Sequence, residues 1–294
     1  MELSWLTTNM NFINIGCGNT YHTDWVNLDL ASTSPDIQIY DLRQGIPYAD
    51  QSFDACYSSH LLEHLTKDDA RNLIAECFRI LKPNGIVRVV VPDLENIVRA
   101  YLYALECIEN SVSKSNTSEM IENYNWIMLE LLDQVARSES GGDMIRYLRK
   151  PNLINKSFIK SRFGSEAEQH WSLPLAAQEE PKLLSSWDTV KTKFSPHLIQ
   201  KVQLKLTKLL IKFVFGKQAC QAFEEGVFRN SGEIHRWMYD RVSLRHLLEQ
   251  IGFVEVTVCS ADQSRIPNFA HYSLDMVEGT VRKPDSLFME AMKP

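Results

Sequence analysis

Three histidines are the residues of this chain best suited to acid–base chemistry near neutral pH. His60 and His64 follow a short apolar stretch, and His235 lies far along the chain, within residues 232–240. An unprotonated imidazole can take a proton from a hydroxyl or an amine, because histidine titrates close to neutrality. His64 and His235 are therefore the predicted catalytic residues, with a structural role in the core as the alternative for each.

The run His60-Leu-Leu-Glu-His64 also fits a zinc-peptidase pattern. Two histidines at positions i and i+4 of a helix can share a metal ion. Such a pattern belongs within a helix and needs a further ligand downstream, whereas His60 directly follows a predicted strand. The sequence therefore predicts no stoichiometric metal.

A glycine turn followed by an acid predicts a nucleotide-type site. In residues 11–20, an apolar strand runs into Gly16 and Gly18, where the backbone can approach a ligand closely. A second short strand ends in Asp29, whose carboxylate can accept hydrogen bonds from ribose hydroxyls. Tyr21 replaces the third glycine of a dinucleotide motif, and a P-loop motif is absent. S-adenosylmethionine, which has an adenosine but no phosphate, therefore fits better than a dinucleotide.

Strands and helices alternate along residues 11–92, which predicts an α/β fold with a parallel sheet and right-handed crossovers. A helix is predicted to begin at Thr66, where Thr66 and Asp69 form a capping box, and to end before residues 83–85. A later helix is predicted to end at Gly252. Predicted strands lie at 12–15, 26–29, 36–41, 52–59, 86–92, 253–259 and 287–292.

Five ordered motifs in this region resemble those of class I SAM-dependent methyltransferases, in the short-linker branch of the Methyltransf_11 type. They are Ile-Asn-Ile-Gly-Cys-Gly at 13–18, Asp-Trp-Val-Asn-Leu-Asp at 24–29, Ile46-Pro with Ser52-Phe-Asp-Ala, Ser59-His-Leu-Leu-Glu-His64, and residues 76–85. The resemblance implies a Rossmann-like fold with a seven-stranded, mostly parallel sheet and helices on both faces. It also implies S-adenosyl-L-methionine as cofactor and S-adenosyl-L-homocysteine as product.

The resemblance also assigns the cofactor site residue by residue. Asp29 would bind the ribose, Asp41 the adenine amino group, and His60 the methionine part of the cofactor. Two positions depart from the family pattern, since Asn14 replaces a common acid and Thr20 a common glycine. The residues implied to bind the cofactor are Asn14, Gly16, Cys17, Gly18, Asp29, Leu30, Asp41, Leu42, Ser59 and His60.

Length and composition limit the classes of protein that remain. A chain of 294 residues can form one large domain, or one domain with an insertion. The net charge of −6 argues against a general nucleic-acid binder. Six scattered cysteines without a C-x-x-C pair indicate a reducing compartment, and neither a signal peptide nor a membrane span is apparent. The expected location is cytoplasmic.

The motifs stop near residue 93 and resume near residue 233. Residues 1–93 and 233–294 are therefore the predicted SAM-binding core, and residues 94–232 a mainly helical insertion that serves as an acceptor lid or an oligomer interface. Two amphipathic helices open the insertion, and residues 163–193, with Trp171, Pro174, Pro181 and Trp187, are expected to be irregular. Residues 197–215 carry Lys201, Lys205, Lys208 and Lys212 on one helical face, which predicts a solvated face or weak contact with a membrane surface or a second copy.

The predicted function is methyl transfer from S-adenosylmethionine to an oxygen or nitrogen atom of a small or medium-sized acceptor, such as a metabolite, a sugar or a natural product. The alternative is a non-catalytic scaffold that retains the fold and binds a partner. Intact Gly16, Gly18 and Asp29 favour cofactor binding and hence the enzyme. The sequence identifies neither the acceptor nor the base.

Overall fold

The computed structural model describes residues 10–32, 34–110, 114–172 and 196–294. Pro174, Pro181 and Trp187 lie outside the described residues, and so does the side chain of Lys201.

The core of the molecule is a seven-stranded sheet with the strand order β3-β2-β1-β4-β5-β9-β6. Strands β1 to β5 pair in parallel, and β9 runs antiparallel between β5 and β6. A parallel sheet must be covered on both faces, which is why β1 is buried along its whole length. The α/β Rossmann-like fold class is confirmed. The strands are β1 Phe12–Ile15, β2 Val26–Asp29, β3 Ile37–Ile39, β4 Phe53–Ser59, β5 Leu81–Pro92, β6 Val254–Cys259 and β9 Ser286–Met292, with a separate hairpin of β7 Met276–Val277 and β8 Thr280–Val281.

Helix α1 (Lys67–Ile80) begins as the capping box predicts. The hydroxyl of Thr66 accepts a hydrogen bond from the backbone N–H of Asp69 and donates one to its carboxylate. Helix α8 (Arg241–Ile251) ends at Gly252, which has a left-handed φ of 112°. Apolar side chains of both helices join the strands in one buried cluster, including Ala70, Leu73, Ile74, Cys77, Leu244 and Leu248.

Strand β5 begins at Leu81, five residues before its predicted start at 86. The predicted helix stop is correct, but the chain does not leave the sheet there. The backbone N–H of Asn84 donates to the Lys293 carbonyl, and the backbone N–H of Lys293 donates to the Gly85 carbonyl. The Pro83-Asn84-Gly85 turn is therefore held against the end of the last strand, which a local pattern cannot reveal.

Glu76 and Arg79 join α1 to the loop that precedes β4. The carboxylate of Glu76 accepts hydrogen bonds from the Ile46 N–H at 2.8 Å and from Arg79 at 2.7 Å. Arg79 also donates to the Tyr48 carbonyl and to the Asp50 carboxylate. These contacts give Glu76 and Arg79 a structural role.

Replacing Glu76 with glutamine is expected to lower the free energy of unfolding by about 1 kcal/mol at pH 7, since the ion pair is partly exposed. Hydrogen bonds from Arg79 hold the pKa of Glu76 below its ordinary value of 4.5. A carboxyl group with a lowered pKa stabilises the fold above that ordinary value and loses this contribution as the pH falls through the lowered pKa. Urea unfolding should therefore show that the difference in the free energy of unfolding between the parent protein and Glu76→Gln shrinks as the pH falls. An equal deficit at all pH values, or the same loss for the exposed Glu249→Gln control, would contradict this.

A buried ion-pair network fastens the C-terminal strands to β5. Arg88 is fully buried and donates to the carboxylates of Asp275 at 2.7 Å and Glu290 at 2.8 Å. The Tyr57 hydroxyl donates to the second oxygen of Asp275 at 2.6 Å. Arg88 also donates to the backbone carbonyls of Gln263 and Ser260. The network satisfies a cation and two anions that the fold removes from water.

Helices fill the described part of the insertion, and one sequence prediction needs correction there. Residues 165–172, expected to be irregular, form α6. The helix predicted at 197–215 is present and ends at Gly216, whose φ of 85° and ψ of −177° are not helical, and a second helix follows it. Across 10–32, 34–110, 114–172 and 196–294, no helix combines the length and apolarity that crossing a bilayer requires. The helices are α2 Leu94–Glu109, α3 Lys114–Ala136, α4 Gly142–Leu148, α5 Lys156–Phe163, α6 Ser165–Ser172 and α7 Pro196–Arg229.

Candidate active site

The glycine turn after β1 has the backbone that its sequence predicts. Gly16 and Gly18 have φ values of 65° and 53°, in the left-handed region that favours glycine. A Cβ atom on Gly16 would lie 2.6 Å from the Leu61 side chain. The N–H of Gly18 donates to the Asp29 carboxylate at 2.8 Å, so Asp29 also holds the turn in place. Asp29 thus connects the ends of β1 and β2.

Asn14, within β1, and Cys17, in the glycine turn, differ in what they offer a ligand. The side-chain amide of Asn14 donates to the Thr20 carbonyl at 2.9 Å, while its Oδ1 atom is buried and has no hydrogen-bond partner. That oxygen is available to a donor such as an ammonium group. Burial raises the pKa of Cys17 to about 12, so its thiol stays protonated and serves as a wall of the site.

Two cavities meet at Gly16, and together they contain every residue predicted to bind the cofactor. The first, here called the glycine cavity, has a volume of about 540 Å³ and the second, the acid cavity, about 520 Å³. The glycine cavity is lined by Asn14, Gly16, Cys17, Gly18, Ser59 and His60. The acid cavity is lined by Gly16, Asp29, Leu30, Asp41, Leu42 and His64. The structure therefore brings the ten residues together along one cleft, while their individual roles stay predictions.

Asp41 is less available than the sequence predicts. Its two carboxylate oxygens accept hydrogen bonds from the Arg43 side chain at 2.9 and 2.8 Å. The Arg43 guanidinium holds the pKa of Asp41 below its ordinary value. An adenine amino group would have to share an acceptor that is already charged and paired.

His60 is held in a strained backbone conformation at the end of β4. Its φ is 54°, which is uncommon for a residue with a side chain and is often found at functional sites. One ring nitrogen lies 2.9 Å from the Ser286 hydroxyl and the other 3.2 Å from the Glu63 carboxylate. Burial lowers the pKa of His60 well below its ordinary value, so the ring is neutral at pH 7.

The two predicted catalytic histidines lie together, although they are far apart in sequence. The rings of His64 and His235 have centroids 4.9 Å apart and are nearly perpendicular. Burial lowers the pKa of both and brings that of His235 to about 2. Both rings are therefore neutral at pH 7, but His235 is a weak proton acceptor. The buried Glu63, which the sequence analysis treated only as part of a pattern, contacts this pair.

Four residues with ionisable side chains that the sequence analysis missed also line the glycine cavity. Glu166 and His170 come from α6, and Arg282 and Lys283 from the segment before β9. Lys283 pairs with Glu166 at 3.1 Å, and Arg282 donates to the Thr20 hydroxyl at 2.6 Å. No local motif marks these residues, because only the folded chain brings three distant segments to one opening.

Comparison with known families finds a match within the core. Residues 27–89 match the family model described as "Methyltransferase domain". This part of the chain is similar to a methyltransferase domain. The predicted resemblance is confirmed, and the match runs from β2 into β5, so that it includes Asp29 but begins after the glycine turn. The family implies S-adenosylmethionine as the cofactor and S-adenosylhomocysteine as the product.

Several solved structures are similar to this chain. One is a SAM-dependent methyltransferase from Archaeoglobus fulgidus, which is 10% identical over 97% of this chain and 86% of that chain, with a TM-score of 0.38. The cyclase SpnF is 20% identical over 28% of this chain and 38% of that chain, with a TM-score of 0.23. A complex of the Haloferax volcanii Trm112 methyltransferase activator with a methyltransferase is 18% identical over 33% of this chain and 51% of that chain, with a TM-score of 0.25. This chain thus spans about half or less of the last two structures. No curated protein sequence matches it.

The cleft suits the chemistry of S-adenosylmethionine. Gly16 leaves open the space that a side chain would fill, and Asp29 ends β2 where it can accept from ribose hydroxyls. The unpaired Oδ1 of Asn14 offers an acceptor to the amino group at the other end of the cleft. The residues present therefore fit an adenosine and an amino acid in one extended site.

Proposed function

We propose that the protein transfers a methyl group from S-adenosylmethionine to an oxygen or nitrogen atom of a small or medium-sized acceptor, of the metabolite, sugar or natural-product type. The observation that carries this proposal is the single cleft in which Asn14, Gly16, Asp29 and His60 lie together. Six cysteines without a disulfide support a reducing, cytoplasmic setting.

The roles that we propose follow from the positions of the side chains. Asp29 accepts from the ribose, Asn14 accepts from the amino group, and His60 walls the methionine part of the cleft. The bound cofactor supplies an electrophilic methyl group, so the protein must mainly align an acceptor and exclude water. His64 and His235 act on the acceptor atom, because His64 lines the acid cavity and the His235 ring packs against the His64 ring.

We also propose that residues 94–232 govern the acceptor rather than the cofactor, with residues 1–93 and 233–294 as the SAM-binding core. Glu166 and His170 support this, because they bring the insertion to the mouth of the glycine cavity. The ion pair between Glu166 and Lys283 ties α6 to the core at the same place. A lid in this position would complete the acceptor pocket and leave Gly16 and Asp29 untouched.

Replacing His170 with alanine is therefore expected to lower kcat/KM for the acceptor at least about tenfold, since misplacement of an acceptor is costly. The dissociation constant of S-adenosylhomocysteine should stay within about threefold of the parent value. Steady-state kinetics and calorimetry measure the two quantities. His246→Ala, on the exposed face of α8, is the matched control and should change neither. A parallel loss of cofactor affinity in His170→Ala would contradict a lid role.

The proposed reaction is tested by an acceptor screen with mass spectrometry. The protein is incubated with S-adenosylmethionine and pooled acceptors, and products that have gained one methyl group are sought. A methylated product that forms with the parent protein and does not form with Asp29→Ala supports enzymatic methyl transfer. Tight cofactor binding with no methylated product from any acceptor class would favour the non-catalytic scaffold.

We further propose that residues 197–215 contact an anionic membrane surface. Six apolar side chains on this segment are more than half exposed: Leu206, Leu209, Leu210, Phe213, Val214 and Phe215. Lys205 and Lys212 lie exposed beside them, and no acid occurs between Asp188 and Glu224. An apolar strip flanked by lysines is typical of a helix lying in a membrane interface. Lys208 is paired with Glu224, so it contributes less.

Phe213→Ser is expected to reduce binding to vesicles of phosphatidylserine and phosphatidylcholine several-fold in a sedimentation assay, because Phe213 is the most exposed apolar residue of the strip. Val242→Ser, at an exposed apolar position on α8, is the matched control and should bind as the parent does. If vesicles never bind and Phe213→Ser instead converts a dimer to a monomer, the strip contacts a second copy of the chain.

A further inference from the structure

We propose that Glu63, His64 and His235 bind one divalent first-row metal ion, and that zinc fits their donor set best. One ring nitrogen of each histidine and a carboxylate oxygen of Glu63 lie within 4.8 Å of one another. This differs from the sequence-based expectation of no metal, which considered His60 and His64 as the ligand pair. The fold replaces His60 with a histidine that the sequence places at the far end of the insertion.

The three side chains present lone pairs that nothing else uses. Glu63 is fully buried, and neither of its carboxylate oxygens has a hydrogen-bond partner. His235 is 3% exposed, and its Nδ1 atom has no partner either. A buried carboxylate without a partner is costly, and a cation shared with two imidazoles removes that cost.

Two histidine nitrogens lie near the Glu63 carboxylate without forming a hydrogen bond to it. The His60 Nδ1 atom lies 3.2 Å from Glu63 Oε1, and the His64 Nε2 atom lies 4.0 Å from the same oxygen. Neither contact satisfies the carboxylate, because both of its oxygens are without a hydrogen-bond partner.

The backbone holds the three ligands in one place. The Glu63 carbonyl accepts hydrogen bonds from the N–H groups of Arg236 at 2.6 Å and Trp237 at 3.2 Å. His235 is fixed by a bond from its own N–H to the Gln134 carbonyl at 2.8 Å. The short turn of residues 62–64 and the segment of residues 234–237 are thus joined directly, which pre-organises a site on two rigid elements.

The tautomer of His64 is set in the way that metal-binding histidines require. Its Nδ1 atom lies 3.1 Å from the Ile234 carbonyl, which can only accept a hydrogen bond. Nδ1 must therefore carry the proton, and the lone pair of Nε2 is left free on the side of Glu63. A histidine ligand usually donates its other N–H to a carbonyl or carboxylate in this manner.

The donor set indicates the class of ion. Two imidazoles and one carboxylate suit zinc and related first-row metals, whereas magnesium and calcium prefer oxygen ligands. Bonds of about 2.0–2.2 Å to one shared ion require the three side chains to close inward from their present spacing of up to 4.8 Å. Three ligands leave at least one position open, as in catalytic zinc sites.

The position of the site links it to the cleft, because His64 also lines the acid cavity. The cation is then the means by which His64 and His235 act on the acceptor. This last step rests on the proposed function, whereas metal binding does not. A protein that binds the ion without transferring a methyl group would leave the site intact and refute only the reaction.

The test is direct measurement of bound metal on the untagged protein. The chain is stripped with a chelator, dialysed against equimolar Zn²⁺ and analysed for metal content, and the same protein is titrated with Co²⁺ and followed by visible absorption. The variants are Glu63→Gln, His64→Ala and His235→Ala. His271→Ala is the matched control, because His22, Asp24 and His271 form a second, more exposed group with similar spacing.

One ion per parent chain is expected, with ligand-field bands of nitrogen-bound Co²⁺. His271→Ala should retain the ion, and each of the three ligand variants should lose at least nine-tenths of it while circular dichroism shows a retained fold. If a variant fails to fold, the metal content and the Co²⁺ absorption bands of the parent protein decide whether the site binds an ion. Less than one-tenth of an ion per parent chain, or an ion that His64→Ala keeps and His271→Ala loses, would overturn the proposal.

Discussion

Replacing Arg88 with methionine is expected to lower the free energy of unfolding by about 3–5 kcal/mol, which is the typical cost of removing one partner from a buried ion pair. Asp275 and Glu290 would remain almost fully buried, each without its main cation. Because a domain is stable by only about 5–15 kcal/mol, this one change removes a large part of the total. Urea unfolding followed by far-ultraviolet circular dichroism measures it.

A matched control separates burial from charge in this experiment. Arg99 pairs with Glu95 at 2.8 Å, but its side chain is 71% exposed, so Arg99→Met should cost less than about 1 kcal/mol. Adding Asp275→Asn to Arg88→Met should recover part of the loss, because one unpaired charge is removed. Similar losses for Arg88→Met and Arg99→Met would show that the buried network does not hold the C-terminal strands.

Asp29→Ala is expected to weaken the binding of S-adenosylhomocysteine by about ten- to a hundredfold. A hydrogen bond to a charged group contributes about 1.5–3 kcal/mol, and Asp29 is the acid that ends β2. The substitution also removes the acceptor for the Gly18 N–H, which holds the glycine turn. Isothermal calorimetry gives the dissociation constants.

Two variants divide the contributions of Asp29. Asp29→Asn keeps an acceptor for the Gly18 N–H and should lose less affinity than Asp29→Ala. Asp41→Ala is the control for a nearby acid, because both Asp41 oxygens already accept from Arg43. A larger loss for Asp41→Ala than for Asp29→Ala would reverse the assignment of the ribose-binding acid.

Local patterns predicted the parts of the fold that depend on neighbouring residues. The N-cap at Thr66, the helix end at Gly252 and the left-handed turn at Gly16 follow the sequence prediction, since each rests on backbone preferences within a few positions. The ten residues predicted to bind the cofactor lie in one cleft for a related reason. The carboxyl ends of parallel strands meet at one edge of the sheet, so residues that follow successive strands must converge there.

Contacts across long stretches of chain could not be predicted in this way. Arg88 reads as an ordinary polar residue in an apolar strand, and its partner Asp275 lies 187 positions away. His64 meets the carbonyl of Ile234 across 170 positions. Side-chain pairing between close neighbours was missed too, because the sequence does not show that Arg43 turns back onto Asp41.

Thermal unfolding with and without S-adenosylhomocysteine tests most directly that the cleft binds this cofactor. Ligand at about one hundred times its dissociation constant should add about 2.7 kcal/mol to the free energy of unfolding and raise the midpoint accordingly. Asp29→Ala should show a smaller rise at the same ligand concentration. An unchanged midpoint for the parent protein at millimolar ligand would contradict the account.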